Sequence, residues 1–323
     1  MAAPIRFSVV IPVYNSATTL ETLLGKLASE LPNISSEYEV ILVNDGSQDK
    51  SWEILQGLAQ RYPWVQAIKL IRNYGQHNAL LCGIRQARND IIVTMDDDLQ
   101  HPPEEIVKLI HKLIEGFDVV YGVPLKETHG IWRDFASQVT KIALQKSMGA
   151  ETARRVSSFR AFRTRIRDAF ENYQNSYVNI DVLLTWGASR FTAIPVRHDP
   201  RLVGKSKYTF RKLVVHSMNM ITGFTVLPLQ IASLMGFAFS FFGFLVLAYV
   251  IGRYLIQGGS VPGFPFLAST IAIFSGVQLF ALGIIGEYLA RMHFRLMDRP
   301  SYIIGESLSR DPQPTSENDN PHE

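Results

Sequence analysis

Ile91-Ile92-Val93-Thr94-Met95-Asp96-Asp97-Asp98-Leu99-Gln100-His101-Pro102 runs from a short apolar stretch straight into three consecutive carboxylates. The first half reads as a buried strand and the second as the loop that leaves it. Neighbouring carboxylates repel one another and are costly to desolvate, so beside a buried strand they need a cation or a dedicated hydrogen-bond network. Asp96 and Asp98 are two apart, a spacing that points both toward one side as a strand ends. Such a pair suits a hard divalent ion, Mg²⁺ or Mn²⁺, which takes oxygen ligands and often shares them with substrate phosphates. A second reading is a solvated acidic loop leading into a helix that starts at Pro102-Pro103-Glu104-Glu105.

Upstream of this stretch, strand and helix signals alternate, which argues for an α/β domain with a mostly parallel sheet and helices on both faces. Strands are expected at 7–11, 40–43, 65–70 and 91–95, with a fifth at 119–121. Helices are expected at 18–29, 51–62 and 77–88. Polar residues follow the strands: Pro12-Val13-Tyr14-Asn15, Asn44-Asp45-Gly46-Ser47, Arg72-Asn73-Tyr74-Gly75-Gln76, then the acids. In open α/β sheets ligands bind outside the carboxyl ends of the strands. Tyr14, Asn15, Asp45, Arg72 and Asp96 to Asp98 are therefore expected to face one crevice. No G-x-G-x-x-G follows the first strand and no G-x-x-x-x-G-K-[ST] occurs, which argues against dinucleotide oxidoreductases and P-loop NTPases. A crevice with an acid cluster still suits a nucleoside diphosphate.

The 323 residues carry a formal net charge of +3, too mild to argue for nucleic acid. The single cysteine, Cys82, excludes an internal disulfide and sits in apolar Leu80-Leu81-Cys82-Gly83-Ile84, the setting of a core residue. The chain opens without a signal-peptide pattern, so the first domain is expected to remain in the cytoplasm. Residues 213–252 and 254–286 contain no Asp, Glu, Lys or Arg. Each stretch exceeds the ~20 apolar residues that span a bilayer, and two transmembrane helices are expected near 227–255 and 267–290. Lys205, Lys207, Arg211 and Lys212 precede them, and Arg291, Arg295 and Arg299 follow. The positive residues place both ends of this hairpin, and both termini, on the cytoplasmic side of the inner membrane. Residues 208–223 carry Phe210, Leu213, Val214, Ser217 and Ile221 on one helical face, the pattern of an interfacial amphipathic helix. The expected division is a catalytic domain at 1–207, the interfacial helix at 208–223, the hairpin at 224–290 and a tail at 291–323, disordered from about 307. Gly236, Gly243, Gly276 and Gly283 suit close helix contacts, including those of a homo-oligomer.

Taken together, Val9-Val10-Ile11-Pro12-Val13-Tyr14-Asn15, Asn44-Asp45-Gly46-Ser47 and Asp96-Asp97-Asp98-Leu99-Gln100-His101-Pro102 resemble family 2 glycosyltransferases of the GT-A fold, a Rossmann-like architecture. Arg201-Leu202-Val203-Gly204-Lys205-Ser206-Lys207-Tyr208 narrows the resemblance to polyprenyl-phosphate glycosyltransferases, such as dolichyl-phosphate mannose synthase and bacterial undecaprenyl-phosphate glycosyltransferases. Arg72-Asn73-Tyr74-Gly75-Gln76-His77 and Gly286-Glu287-Tyr288-Leu289 look most like the aminoarabinose-transferring branch. The resemblance implies a nucleotide-sugar donor, UDP-linked by subgroup, and a polyprenyl phosphate acceptor at the bilayer. Pro12, Tyr14 and Asn15 would line the nucleoside pocket, with Arg72 and Gly75 beside them. Asp45 would hydrogen-bond the base and Asp97 would sit near the ribose or base. Asp96, Asp98 and Gln100 would hold Mg²⁺ or Mn²⁺ on the diphosphate. Arg201 and Lys205 would close over the phosphates. Arg133 and Ser137 match an acceptor-phosphate pair, and their spacing of four puts both on one helical face.

Two positions depart from the family pattern. Ser157-Ser158-Phe159-Arg160 stands where many relatives carry Gly-Asp-Phe-Arg, so Ser158 replaces a candidate base, and Pro124 stands where an Arg is common. A lipid monophosphate has a second pKa near ~6 and is mostly dianionic at neutral pH, so it needs no proton removed before attack. Arg133, Arg160, Arg201 and Lys205 are candidates to offset charge on the two phosphate groups. The expected reaction is a direct inverting displacement without an essential general base. Two other functions remain. A processive polysaccharide synthase would carry a Gln-x-x-Arg-Trp motif, and no Arg-Trp pair occurs. A non-catalytic sugar-nucleotide sensor or scaffold would bind nucleotide without turnover.

Overall fold

The computed structural model describes residues 5–124, 156–175, 177–200, 227–257, 263–297 and 299–309. The chain forms two compact units, residues 1–207 with 299–323, and residues 208–298.

The first unit is built on an eight-stranded mixed sheet. Its elements run β1 (Arg6–Val13), α1 (Leu20–Ile34), β2 (Glu37–Asn44), α2 (Ser51–Arg61), β3 (Val65–Leu70), α3 (Gln76–Gln86), β4 (Ile91–Thr94), α4 (Ile106–Ile114), β5 (Val119–Pro124), β6 (Arg160–Arg163), α5 (Ile180–Gly187) and β7 (Phe191–Val196). The strand order is β7-β5-β6-β4-β1-β2-β3-β8, where β8 (Ile304–Leu308) lies beyond the two long helices in sequence. β3, β2, β1 and β4 are mutually parallel, with Val13 opposite Asn44 and Val10 opposite Thr94. That register brings the carboxyl ends of all four to one edge. Strand order reverses between β2 and β4 on either side of β1, the place where α/β sheets leave a crevice. β6 runs antiparallel between β4 and β5.

Periodicity explains α1. Leu20, Leu23, Leu24, Leu27 and Leu31 recur at helical spacing and all are buried. The helix continues past the expected end at 29, through Pro32, to Ile34. A proline removes one backbone hydrogen bond, and burial of Leu31 keeps the last turn in place. β2 also starts earlier than its apolar run. Glu37 to Glu39 join it because β1 offers a parallel partner, and Arg6 meets Glu37 at 3.5 Å. In α3, a Cβ on Gly83 would lie 2.4 Å from Val10 Cγ1, so this helix packs directly onto β1. Cys82 is buried in the same helix, and its burial pushes the thiol pKa up to about 12.

The tail is where expectation and structure differ most. Ser307 and Leu308, placed at the start of a disordered tail, belong to β8, which pairs antiparallel with β3. The cause is tertiary: β3 has an open edge, and Ala67 to Leu70 supply its backbone groups to the returning segment. Residues 310–323 lie outside the described residues, as does the interfacial helix expected at 208–223.

The second unit contains α6 (Leu227–Gln257) and α7 (Phe264–Leu296). Pro228–Arg253 has a mean hydropathy of 2.3 and Ile273–Ala290 of 1.6, and both are long and apolar enough to cross a membrane. Their large side chains are displayed outward, with Phe237 72% and Leu279 70% exposed. The two helices touch through Phe239 and Phe274, whose rings meet edge to face at 6.1 Å. Arg253 Nη1 reaches the Tyr249 hydroxyl at 3.2 Å, one turn back along α6.

Candidate active site

At the carboxyl edge of β1, β2, β3 and β4 lies an open crevice of about 620 Å³, counting its mouth. Pro12, Val13 and Tyr14 from β1 and its exit, Asp45 after β2, Asn73, Gly75 and Gln76 after β3, and Asp96 to Asp98 after β4 line it.

Asp45 is the anchor of the loop after β3. Its carboxylate accepts the Tyr74 and Gly75 amides at 2.7 and 2.8 Å, and its carbonyl accepts Asn73 Nδ2 at 3.1 Å. Burial pushes its pKa up, and the two amide bonds pull it back. Gly46, the next residue, has φ +64, and a Cβ there would lie 2.5 Å from the Arg72 carbonyl carbon. Only glycine lets the two loops approach this closely. Arg72 stacks over the Tyr74 ring at 4.8 Å.

The three acids differ in their surroundings. Asp96 accepts Gln76 Nε2 on Oδ1 at 2.7 Å and the Ser158 hydroxyl on Oδ2 at 2.6 Å. Asp98 Oδ1 accepts the Gln100 amide at 3.1 Å. Asp97 accepts the Tyr14 amide at 3.3 Å, joining β1 to the acid loop. Burial pushes the Asp97 carboxyl up to about 6; the Ser16 hydroxyl and the Tyr14 amide lower it, and Asp96 and Asp98 raise it further. Leu99 holds φ 63, rare for a leucine, while its side chain stays buried. That buried side chain fixes the turn carrying Asp98 and Gln100. His101 lies beneath, stacked on Phe159 at 5.0 Å with His198 edge-on at 5.1 Å. Burial lowers its pKa, which favours the neutral ring.

The donor set fits a divalent ion. The crevice offers carboxylate oxygens, and each Asp96 oxygen that accepts one hydrogen bond keeps a lone pair. Among the described residues no three His, Cys, Asp or Glu side chains gather to cage an ion. Two carboxylates in an open crevice suit an ion that completes its shell with diphosphate and water.

The raised Asp97 pKa has a consequence for stability. Its folded value, about 6, lies above the ordinary 3.8. The penalty for charging it in the fold is absent below pH 4, grows as pH rises and is complete above about pH 6. In EDTA, Asp97→Asn is expected to gain about 3 kcal/mol at pH 7.5 and little at pH 4. Thermal melts at the two pH values test this, and an equal gain at both would contradict it.

The profile of glycosyl transferase family 2 matches residues 8–173. The chain belongs to this family. It is a glycosyltransferase, and its sheet is the GT-A sheet that the sequence resemblance implied. Undecaprenyl-phosphate 4-deoxy-4-formamido-L-arabinose transferase of Pseudomonas aeruginosa strain LESB58 is 36% identical over 300 residues, 92% of this chain and 88% of that protein. The protein of the same name from Serratia proteamaculans is 35% identical, covering 95% of each chain. Among solved structures, glucosyl-3-phosphoglycerate synthase from Mycobacterium tuberculosis, crystallised with Mn²⁺, UDP-glucose and phosphoglyceric acid, has a TM-score of 0.48 and 19% identity over 68% of this chain and 78% of its own.

For this family 2 chain, Pro12, Tyr14, Asp45, Gly75 and Asp96 to Asp98 meet in the crevice as the sequence suggested. Asn15 instead latches the neighbouring loop: at φ 54, its side chain accepts the Gln48 amide at 2.8 Å and its own amide donates to Ser47 Oγ at 3.0 Å. Gln100 is not among the crevice-lining residues; its amide caps Asp98 and its carbonyl accepts the Asp199 amide at 2.9 Å. Arg160 requires a correction. Its side chain is 2% exposed, paired with Asp181 and bonded through Nε to Thr94 Oγ1 at 3.1 Å, so it is not free to meet phosphates. The Tyr121 hydroxyl donates to the same Asp181 at 3.1 Å. Arg133, Ser137, Arg201 and Lys205 lie outside the described residues. Sequence reasoning missed Gln76 as a site residue. Its one signal is position, at the first turn of a helix right after the Tyr74-Gly75 turn.

Proposed function

We propose that this glycosyltransferase moves a sugar from a UDP-linked donor to undecaprenyl phosphate, with inversion, at the cytoplasmic face of the inner membrane. The observation that carries the reading is the meeting of Asp45 and Asp96 to Asp98 in one crevice, in a chain whose α6 and α7 are apolar enough for a bilayer. Relatives named for an undecaprenyl-phosphate acceptor cover nearly the whole chain, which supports that acceptor.

In this reading Pro12 and Tyr14 flank the nucleoside. Asp45 accepts from the base, with Arg72 and Gly75 beside it, while Asn15 acts through the loop it latches. Asp97 takes the ribose side. Asp96 and Asp98 would hold Mg²⁺ or Mn²⁺, with Gln100 fixing Asp98; an ion bound there would supply Lewis-acid stabilisation of the departing diphosphate. Arg133 and Ser137 grip the acceptor phosphate, and Arg201 and Lys205 offset charge over the diphosphate. The acceptor is already a dianion, so these groups act by orientation and neutralisation. Residues 1–207 work in the cytoplasm, residues 208–223 act at the interface, the 224–290 hairpin spans, and hairpins of several protomers associate. The long acceptor tail then stays in lipid while its phosphate reaches the site.

Ser158 tests the absence of a base. Its hydroxyl orients Asp96. Ser158→Ala is expected to raise the metal requirement about tenfold, the usual effect of losing such a support. Turnover at saturating Mg²⁺ should stay within about threefold of the native protein. Loss of turnover with donor binding intact would make Ser158 part of the proton chemistry.

The reaction itself is tested by radiolabel transfer from a panel of UDP- and GDP-sugars to undecaprenyl phosphate in detergent, with Mg²⁺, with Mn²⁺ and with EDTA. Ion-dependent labelling of the lipid by one donor is the expected result. Nucleotide binding without labelling from any donor would replace this reading with a sensor or scaffold.

A further inference from the structure

The segment that follows α7 does more than fill a sheet edge. Residues 301–303 cross the two ends of the loop after β3. The Ile71 amide, at the start of that loop, donates to the Ile303 carbonyl at 3.1 Å. Asn78 Nδ2, in the first turn of α3, donates to the Ser301 carbonyl at 2.5 Å. Both Asn78 and Ser301 are buried, at 4% and 3% exposure. The Ser301 hydroxyl accepts the Asn175 amide at 3.1 Å, and the Arg85 guanidinium covers the Tyr302 ring at 5.8 Å. β8 then continues along β3, with Ile304 opposite Leu70.

Between Ile71 and Asn78 lie Asn73, Gly75 and Gln76, which line the crevice. Tyr74 and Gly75 give their amides to Asp45, and Gln76 holds Asp96. A loop fixed at both ends keeps these donors in place without a ligand, and a loop released at either end must be ordered by the ligand at a cost in affinity.

We propose that residues 301–305 are a positioning strap for the loop at 72–77, so that nucleoside-diphosphate affinity depends on a segment encoded after both apolar helices. The strap touches no reacting atom; it acts through Asp45 and Gln76. This inference rests on the reading of the crevice as the donor site.

The test uses the full chain with two variants. Asn78→Ala removes the bond to Ser301. Gly305→Trp wedges the strand, since even a Cβ there would lie 3.1 Å from Ile71 Cγ2. Gln66→Ala is the control, because it removes only a 3.4 Å contact to Ser307 at the far end of β8. The readouts are UDP affinity by calorimetry with Mg²⁺, donor KM against kcat, and amide exchange at Tyr74 and Gly75. Both strap variants should weaken UDP about tenfold, the scale of one lost buried hydrogen bond. They should raise donor KM with kcat little changed and speed exchange at the two amides, while Gln66→Ala matches the native protein. Unchanged UDP affinity and unchanged Tyr74 and Gly75 exchange in both variants would overturn the strap. If the native protein bound no UDP, the donor-site reading would fall, whereas faster exchange in the variants would still uphold the strap's hold on the loop.

Discussion

Asp98→Asn is expected to lower sugar transfer about a thousandfold while the protein stays folded. Asparagine keeps the carbonyl oxygen that accepts the Gln100 amide, so the acid loop keeps this hydrogen bond. The buried Leu99 side chain still pins the turn. What disappears is one negative charge where the proposed reading places the diphosphate and its ion. A thousandfold loss corresponds to about 4 kcal/mol of transition-state stabilisation, a reasonable share for a ligand to a catalytic ion. Label transfer to undecaprenyl phosphate measures the loss, and a melting curve confirms the fold. UDP binding supplies the sharper comparison. Mg²⁺ should tighten UDP on the native protein and do so far less on the variant. Transfer within tenfold of native would remove Asp98 from the ion site.

Asp181→Ala is expected to cost about 3–5 kcal/mol of stability, because it strands a buried guanidinium. Arg160 and Asp181 form an ion pair with both side chains nearly inaccessible. Tyr121, fully buried, loses its partner as well; burial and the adjacent carboxylate keep that phenol protonated. For a domain of this size such a loss lowers the melting temperature by about 10 °C. The double variant Arg160→Met with Asp181→Asn should recover most of it, since no charge is then buried and asparagine still accepts from Tyr121. The double variant should also transfer sugar at nearly the native rate, because Arg160 faces Thr94 and Asp181 rather than the crevice. A folded double variant with transfer abolished would return Arg160 to the catalytic set.

The acid crevice was legible because its residues follow apolar strands directly, and a parallel sheet brings such exits to one edge. Asp45 and Asp96 to Asp98 announce themselves in this way. Arg160 does not, since its partner lies 21 residues on and on a different element, and an arginine beside a strand reads equally well as a phosphate ligand. Gln76 was missed for a related reason: nothing local separates a helix-starting glutamine that reaches Asp96 from one facing water. Strand limits failed where pairing overruled composition. Glu37 to Glu39 have no apolar run, yet β1 recruits them. Ile304-Gly305-Glu306-Ser307-Leu308 contains glycine, glutamate and serine, poor strand formers, and becomes β8 because β3 would otherwise expose a free edge.

That last strand also sets an order of events during synthesis. β3 is complete by residue 70, but its partner β8 is not translated until both apolar helices have been made. At ~5–20 residues per second, β3 waits on the order of 10–50 s with the backbone groups of its outer edge unpaired. The nascent sheet is therefore most prone to pairing with other chains while the hairpin is being made. Any arrest or premature stop within α6 or α7 leaves a first unit whose sheet ends on an open strand.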